Sequence, residues 1–229
     1  MKESFSVQWH ITNRCHLRCR HCYQDDFTAA HDLDWKGLER IALELLRTVE
    51  QWDKTACIQL TGGEPLLMEE LFSLLEFLGK SPSVQELGVI TNGLLLDREM
   101  VRRLAENRKL KTVKVSLDGA SPEIHDAIRF EGSFRRVLRN LQVVRHESRL
   151  ERILMFTVMK KNLREIPALL HLCQDLRIEG LILERFIPIG QGKKAIEQVL
   201  DKADWKFLVD MLSDFFSMDK DEPEVLPYQ

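Results

Sequence analysis

Short apolar runs alternate along the chain with longer amphipathic stretches. The short runs, near residues 5–11, 56–61, 86–91, 112–117, 152–158 and 180–187, predict strands. Between and after them, helical patterns cover about 34–52, 67–79, 97–108, 133–148, 163–176 and 202–217. Asp34, Asp97, Ser133 and Asp204 stand where N-caps or first-turn acids belong, and Pro167 falls near a helix start, where its missing N–H costs little. Repeated βα units imply a parallel sheet, and six of them fall short of the eight that close a full barrel of roughly 250 residues. The expected fold is therefore α/β, an open (β/α)6 partial TIM barrel, with reactive groups at the C-terminal ends of the strands.

Composition narrows the class. With 229 residues, 44% of them hydrophobic, the chain can bury a sizeable core in one domain, expected over residues 1–217. Its 33 basic and 36 acidic side chains are interspersed and leave a net charge of −3, so neither nucleic acid nor an anionic membrane is expected as a partner. No apolar stretch approaches the roughly 18 residues that span a bilayer, and Met1-Lys2-Glu3 leads into alternating residues rather than a signal segment. A cytoplasmic protein is expected.

Three of the five cysteines, Cys15, Cys19 and Cys22, share one short run at C-x3-C-x2-C spacing after the first strand. Three thiolates can ligate three irons of a [4Fe–4S] cluster that normally takes four, leaving one iron open to something other than protein. A zinc site completed by His16 or His21 is the competing reading, although structural zinc usually draws on two separated ligand pairs and no second pair exists. Disulfides fit poorly, because three close cysteines leave one unpaired. Cys57 and Cys173 sit in apolar segments and read as buried small hydrophobes. Trp9, Trp35, Trp52 and Trp205 read as packing residues, Tyr23 as core, and His146 and His171 as surface or boundary positions.

The His21-Cys22-Tyr23 ending of the loop, Gly62-Gly63-Glu64-Pro65, Ser116-Leu117-Asp118-Gly119, and His125-Asp126 with Arg129 together resemble the radical S-adenosylmethionine (radical SAM) family. The likeness runs from about residue 5 to about residue 217 and is to the core domain of SPASM- or twitch-type peptide and protein maturases. It implies one [4Fe–4S] cluster held by Cys15, Cys19 and Cys22, with SAM on the open iron. It places Gly62, Gly63 and Glu64 near the SAM amino group, where glycines permit close backbone approach and a carboxylate can accept from an ammonium. Asn92 is placed at the SAM site, and Ser116 and Asp118 on ribose. Arg129 goes to the SAM carboxylate or ribose, since a guanidinium can bind a carboxylate as a fork. The main chain of His21 and the side chain of Ile189 go to adenine. Read without the resemblance, Gly-Gly-Glu-Pro, Thr91-Asn92-Gly93 and Asp118-Gly119 are also sufficient as turns.

The resemblance implies a peptide or protein substrate and a flavodoxin- or ferredoxin-type electron donor. The same chemistry on a small molecule or tetrapyrrole precursor is an alternative, as is a non-catalytic zinc or peptide-binding module. Residues 218–229 read as a linker-like acidic tail leading to a C-terminal auxiliary-cluster extension that this sequence does not contain.

Overall fold

The computed structural model describes residues 2–218, so the tail beyond Met218 lies outside the described residues. Six strands, β1 (Ser4–Thr12), β2 (Thr55–Gly62), β3 (Val84–Thr91), β4 (Leu110–Ser116), β5 (Glu151–Val158) and β6 (Gly180–Arg185), form one sheet in sequence order. Each neighbouring pair is parallel. Among the described residues the outermost strands β1 and β6 pair on one side only, so the barrel is open, as the repeated βα units lead us to expect.

Helices α1 (Trp35–Gln51), α2 (Leu71–Lys80), α3 (Arg98–Ala105), α4 (Pro122–Ile128), α5 (Ser133–Arg145), α6 (Ile166–Leu176) and α7 (Lys202–Met218) connect or follow the strands. The core lies between them and the outer face of the sheet. Ala56, Ile58 and Leu60 of β2, Leu87 and Val89 of β3, Val113 and Val115 of β4, and Leu154 and Phe156 of β5 are all fully buried there. Alternation then sends Gln59, Thr112 and Met155 to the concave inner face. Gln59 Nε2 donates to Thr112 Oγ1 across β3 at 3.3 Å, and only Gly88 leaves room for it: a Cβ there would stand 2.1 Å from Gln59 Oε1.

Several expectations need correction. The short α4 was not predicted, because two turns are too few to show a helical period, although Ser121-Pro122 is a sound start signal. The expected helices from 67 and 163 begin with single 3-10 turns, Pro65–Leu67 and Leu163–Glu165. Asp34 and Asp97 cap their helices by accepting from Gly37 N and Met100 N. Ser133 does not cap α5; the Asp126 carboxylate does so from α4, accepting from Gly132 N and Phe134 N. Asp204 is a first-turn acid paired reciprocally with Asp201.

Trp9 and Trp35 pack against the core, but Trp52 and Trp205 are exposed. Cys57 and Cys173 are half-buried rather than buried, Cys57 because it faces the concave side with Gln59. His146 and His171 are exposed. Among the described residues no helix is long and apolar enough to cross a membrane.

Phe156 is among the largest fully buried side chains. Phe156→Ala should therefore lose about 3–5 kcal/mol, read as a lower denaturant midpoint in chemical unfolding.

Candidate active site

The cysteine loop leaves β1 at Thr12 and is tied down at several points. Asp32 closes it on itself, accepting from the Thr12 hydroxyl and from Asn13 N. On one side it lies along the end of β2, where Gly63 N donates to Thr12 O at 2.7 Å and Glu64 N to Arg14 O at 2.8 Å. On the other, Gly192 N donates to Cys22 O, Gln191 N to Gln24 O, and Arg20 N to Ile128 O at the end of α4.

The glycines serve these backbone contacts. A Cβ on Gly62 would stand 2.2 Å from Thr12 O, one on Gly63 2.4 Å from Arg14 O, and Gly62 has φ +145°. The close approach anticipated for a ligand is thus, in this structure, an approach of the cysteine loop itself.

Cys15, Cys19 and Cys22 line one cavity of about 630 Å³ at the C-terminal ends of the strands. His21, Gly62, Gly63, Asn92, Ser116, Arg129 and Ile189 line the same cavity. Glu64 and Asp118 do not. Glu64 is wholly buried and its carboxylate is already engaged, accepting from Leu66 N, the Thr91 hydroxyl and Asn92 N. It is a strut between the ends of β2 and β3. Burial pushes its carboxyl up to about 7 against those three hydrogen bonds.

Asp118 is also wholly buried, because β4 ends at Ser116 and alternation cannot be carried two residues past it. Its carboxylate accepts from Arg129 Nε at 2.5 Å and from Thr157 N at 2.8 Å, with His21 Nε2 at 3.4 Å. Burial opposes ionisation, but the Arg129 guanidinium and the hydrogen bond from Thr157 N outweigh this and hold the group below its ordinary range. Arg129 thereby turns Nη1 towards Cys19 Sγ at 3.9 Å. Burial also keeps His21 neutral near pH 7, lowering it to about 4.

Which groups could this cavity hold? Burial pushes the Cys19 thiol up to about 11 and raises Cys15 and Cys22, so the free thiols are protonated and a bound cation would have to displace their protons. Among the described residues no three His, Cys, Asp or Glu side chains are set around a single metal ion. Zinc needs four ligands around one point, whereas an iron–sulfur cluster takes each thiolate on a separate iron, so three cysteines lining one cavity fit a cluster. Two buried nitrogens of wall residues, His21 Nδ1 and Asn92 Nδ2, have no hydrogen-bond partner among the described residues.

Some lining residues escaped the sequence. Met155 faces the cavity because it pairs with Ser116, and Thr157 faces it opposite Glu184; both depend on the parallel register. Tyr23 is half exposed on the cavity wall instead of in the core, its hydroxyl donating to Gly62 O at 3.2 Å. The last strand stops at Arg185, leaving Ile187 and Ile189 exposed at the rim.

Residues 9–173 match the family model described as the Radical SAM superfamily. The chain is 31% identical to Fe-coproporphyrin III synthase of Methanosarcina barkeri, over 90% of this chain and 50% of that protein. It is 25% identical to the antilisterial bacteriocin subtilosin biosynthesis protein AlbA of Bacillus subtilis, over 96% of this chain and 48% of that one. It therefore spans about half the length of these curated relatives. The fold is similar to SuiB of Streptococcus suis, solved bound to the precursor peptide SuiA, with a TM-score of 0.77 at 17% identity, covering 96% of this chain and 48% of that one.

The Glu64 strut makes stability depend on pH. Its folded value of about 7 lies above its ordinary 4.5, so its contribution is complete below pH 4.5 and lost as pH rises through 7. Relative to Glu64→Gln, wild type should lose up to about 3 kcal/mol across that window, measured by urea unfolding of both proteins at several pH values.

Proposed function

Because this chain belongs to the radical SAM superfamily, we propose that it is the core of a maturase that removes a hydrogen atom from a peptide or protein substrate. The observation that carries the reading is the convergence of Cys15, Cys19 and Cys22 with Asn92, Ser116 and Arg129 on one cavity. When bound, a [4Fe–4S] cluster with SAM would supply the one-electron chemistry that removes that hydrogen atom.

The chain's own residues bind and orient. Cys15, Cys19 and Cys22 would hold the cluster through their thiolates and leave one iron open to SAM. The Gly62-Gly63 backbone and Asn92 line the amino-acid end of SAM, Ser116 meets a ribose hydroxyl, and Arg129 the carboxylate. The His21 main chain and the Ile189 side chain flank adenine. Glu64 and Asp118 act as positioning residues: one fixes the turn before Asn92, the other aims Arg129.

A peptide is supported by the open side of the barrel. Among the described residues, β1 and β6 each keep an unpaired edge beside the cavity, which an extended chain can meet through main-chain hydrogen bonds. The likeness to AlbA points the same way. A second reading, a tetrapyrrole precursor, is favoured by the 31% identity to Fe-coproporphyrin III synthase. For either substrate the electron donor is a flavodoxin or ferredoxin, and the oxygen-sensitive cluster suits the cytoplasm.

Anaerobic reconstitution with iron and sulfide should load about four irons per chain, with an EPR signal after reduction that SAM perturbs and that Cys19→Ala abolishes. Stoichiometric zinc without that signal would sink the reading. Deuterium transfer into 5′-deoxyadenosine from a labelled peptide, and none from a labelled porphyrinogen, would separate the two substrates.

A further inference from the structure

A second cavity, of about 280 Å³, shares a single lining residue with the first: Cys19. Cys19 therefore stands between the two. The second groove runs between the cysteine loop and the segment 190–198 that follows β6. Its floor is apolar, with Ile128 and Met159 belonging to a small buried cluster completed by Phe186. Its rim carries four cations, Arg18, Arg20, Lys161 and Lys194, against one carboxylate, Glu197.

The rim cations are exposed. Every ion pair between described residues involves other cations, so no described carboxylate neutralises these four. They are concentrated here although the chain as a whole carries −3. The platform is also fixed: Arg18 donates to Cys15 O and Leu17 O, both at 2.8 Å, and lies over the Phe27 ring, while Arg20 N is bonded to Ile128 O.

On the reading above, each SAM cleaved needs one electron from outside, while SAM and substrate fill the main cavity. The electron has to arrive through another face, and transfer slows steeply with distance. We propose that the groove framed by Arg18, Arg20, Lys161 and Lys194 is the docking surface of an acidic one-electron carrier protein, with Cys19 as the point of electron entry. The carrier gives up one electron, the loaded site accepts it, and no bond forms or breaks between the proteins. Charge complementarity around a small groove is the pattern of brief redox encounters, which bury under about 1,200 Å² and gain speed from electrostatic steering.

This inference rests on the radical SAM reading, and one experiment separates the two. Cluster-loaded wild type and the double variant Lys161→Glu with Lys194→Glu are mixed anaerobically with reduced flavodoxin, and cluster bleaching is followed by stopped-flow absorbance. The same is done with photoreduced deazariboflavin, a small uncharged reductant. At low salt the variant should accept electrons from flavodoxin about tenfold more slowly than wild type, with the gap closing as ionic strength rises. Deazariboflavin should reduce both equally. Equal flavodoxin rates in two fully loaded proteins would overturn the docking surface and leave the radical SAM reading intact; failure to load a cluster would overturn both. Salt-sensitive binding of RNA to the patch with none of flavodoxin would also overturn the proposal. If the charge reversal unfolds the chain, Lys161→Gln with Lys194→Gln reads the same effect at smaller size.

Discussion

The backbone of the cysteine loop lies directly against the turn that ends β2, and the site depends on that contact. Gly63 N and Glu64 N donate to carbonyls of Thr12 and Arg14, at separations that leave no room for a Cβ on Gly62 or Gly63. These two consecutive hydrogen bonds tie the loop to the turn just beyond the last β1–β2 pair, Thr12 with Gly62, so the loop begins with a defined direction. The Glu64 side chain then carries the constraint one strand further, to Thr91 and Asn92. A carboxylate without water around it is costly unless its hydrogen bonds are satisfied, and three donors satisfy this one.

A second buried carboxylate does the equivalent work on the far side. Asp118 joins the end of β4 to Thr157 on β5 and holds the guanidinium of Arg129. Asn162 supports it from behind by donating to Asp118 O and Thr157 O, and His125 Nδ1 accepts from Asp118 N. Fixing Arg129 in a dry environment removes the entropy a free arginine would lose on meeting an anion, and keeps positive charge beside Cys19 whether or not a ligand is bound. The two carboxylates most prominent in the sequence thus support the cavity wall from behind, and the atoms that face the cavity belong to their neighbours.

The open edge of the sheet gives the cavity its other property. Between β1 and β6 the wall is completed by loop residues, Tyr23 on one side and Ile187 and Ile189 on the other, all exposed. A closed barrel would have filled this space with side chains. Here the segment 190–198 turns back to clasp the cysteine loop and makes the small cationic groove on its outer surface.

The order of strands and helices apart from the short α4, the parallel sheet and the place of the cysteine loop were legible in the sequence, because periodicity, cap residues and ligand spacing are encoded within a few neighbouring positions. The identity of the cavity-facing set was legible in part: Asn92, Ser116, Arg129 and Ile189 face it, while Glu64 and Asp118 turn away and Met155, Thr157 and Tyr23 join it. Those differences have one physical origin. Which atoms meet across strands depends on parallel register and on how closely two backbones can approach, and both are properties of residues tens of positions apart. The chain alone determined what chemistry was present and at which strand ends; the tertiary structure decided which side chains touch that chemistry and which only hold the others in place.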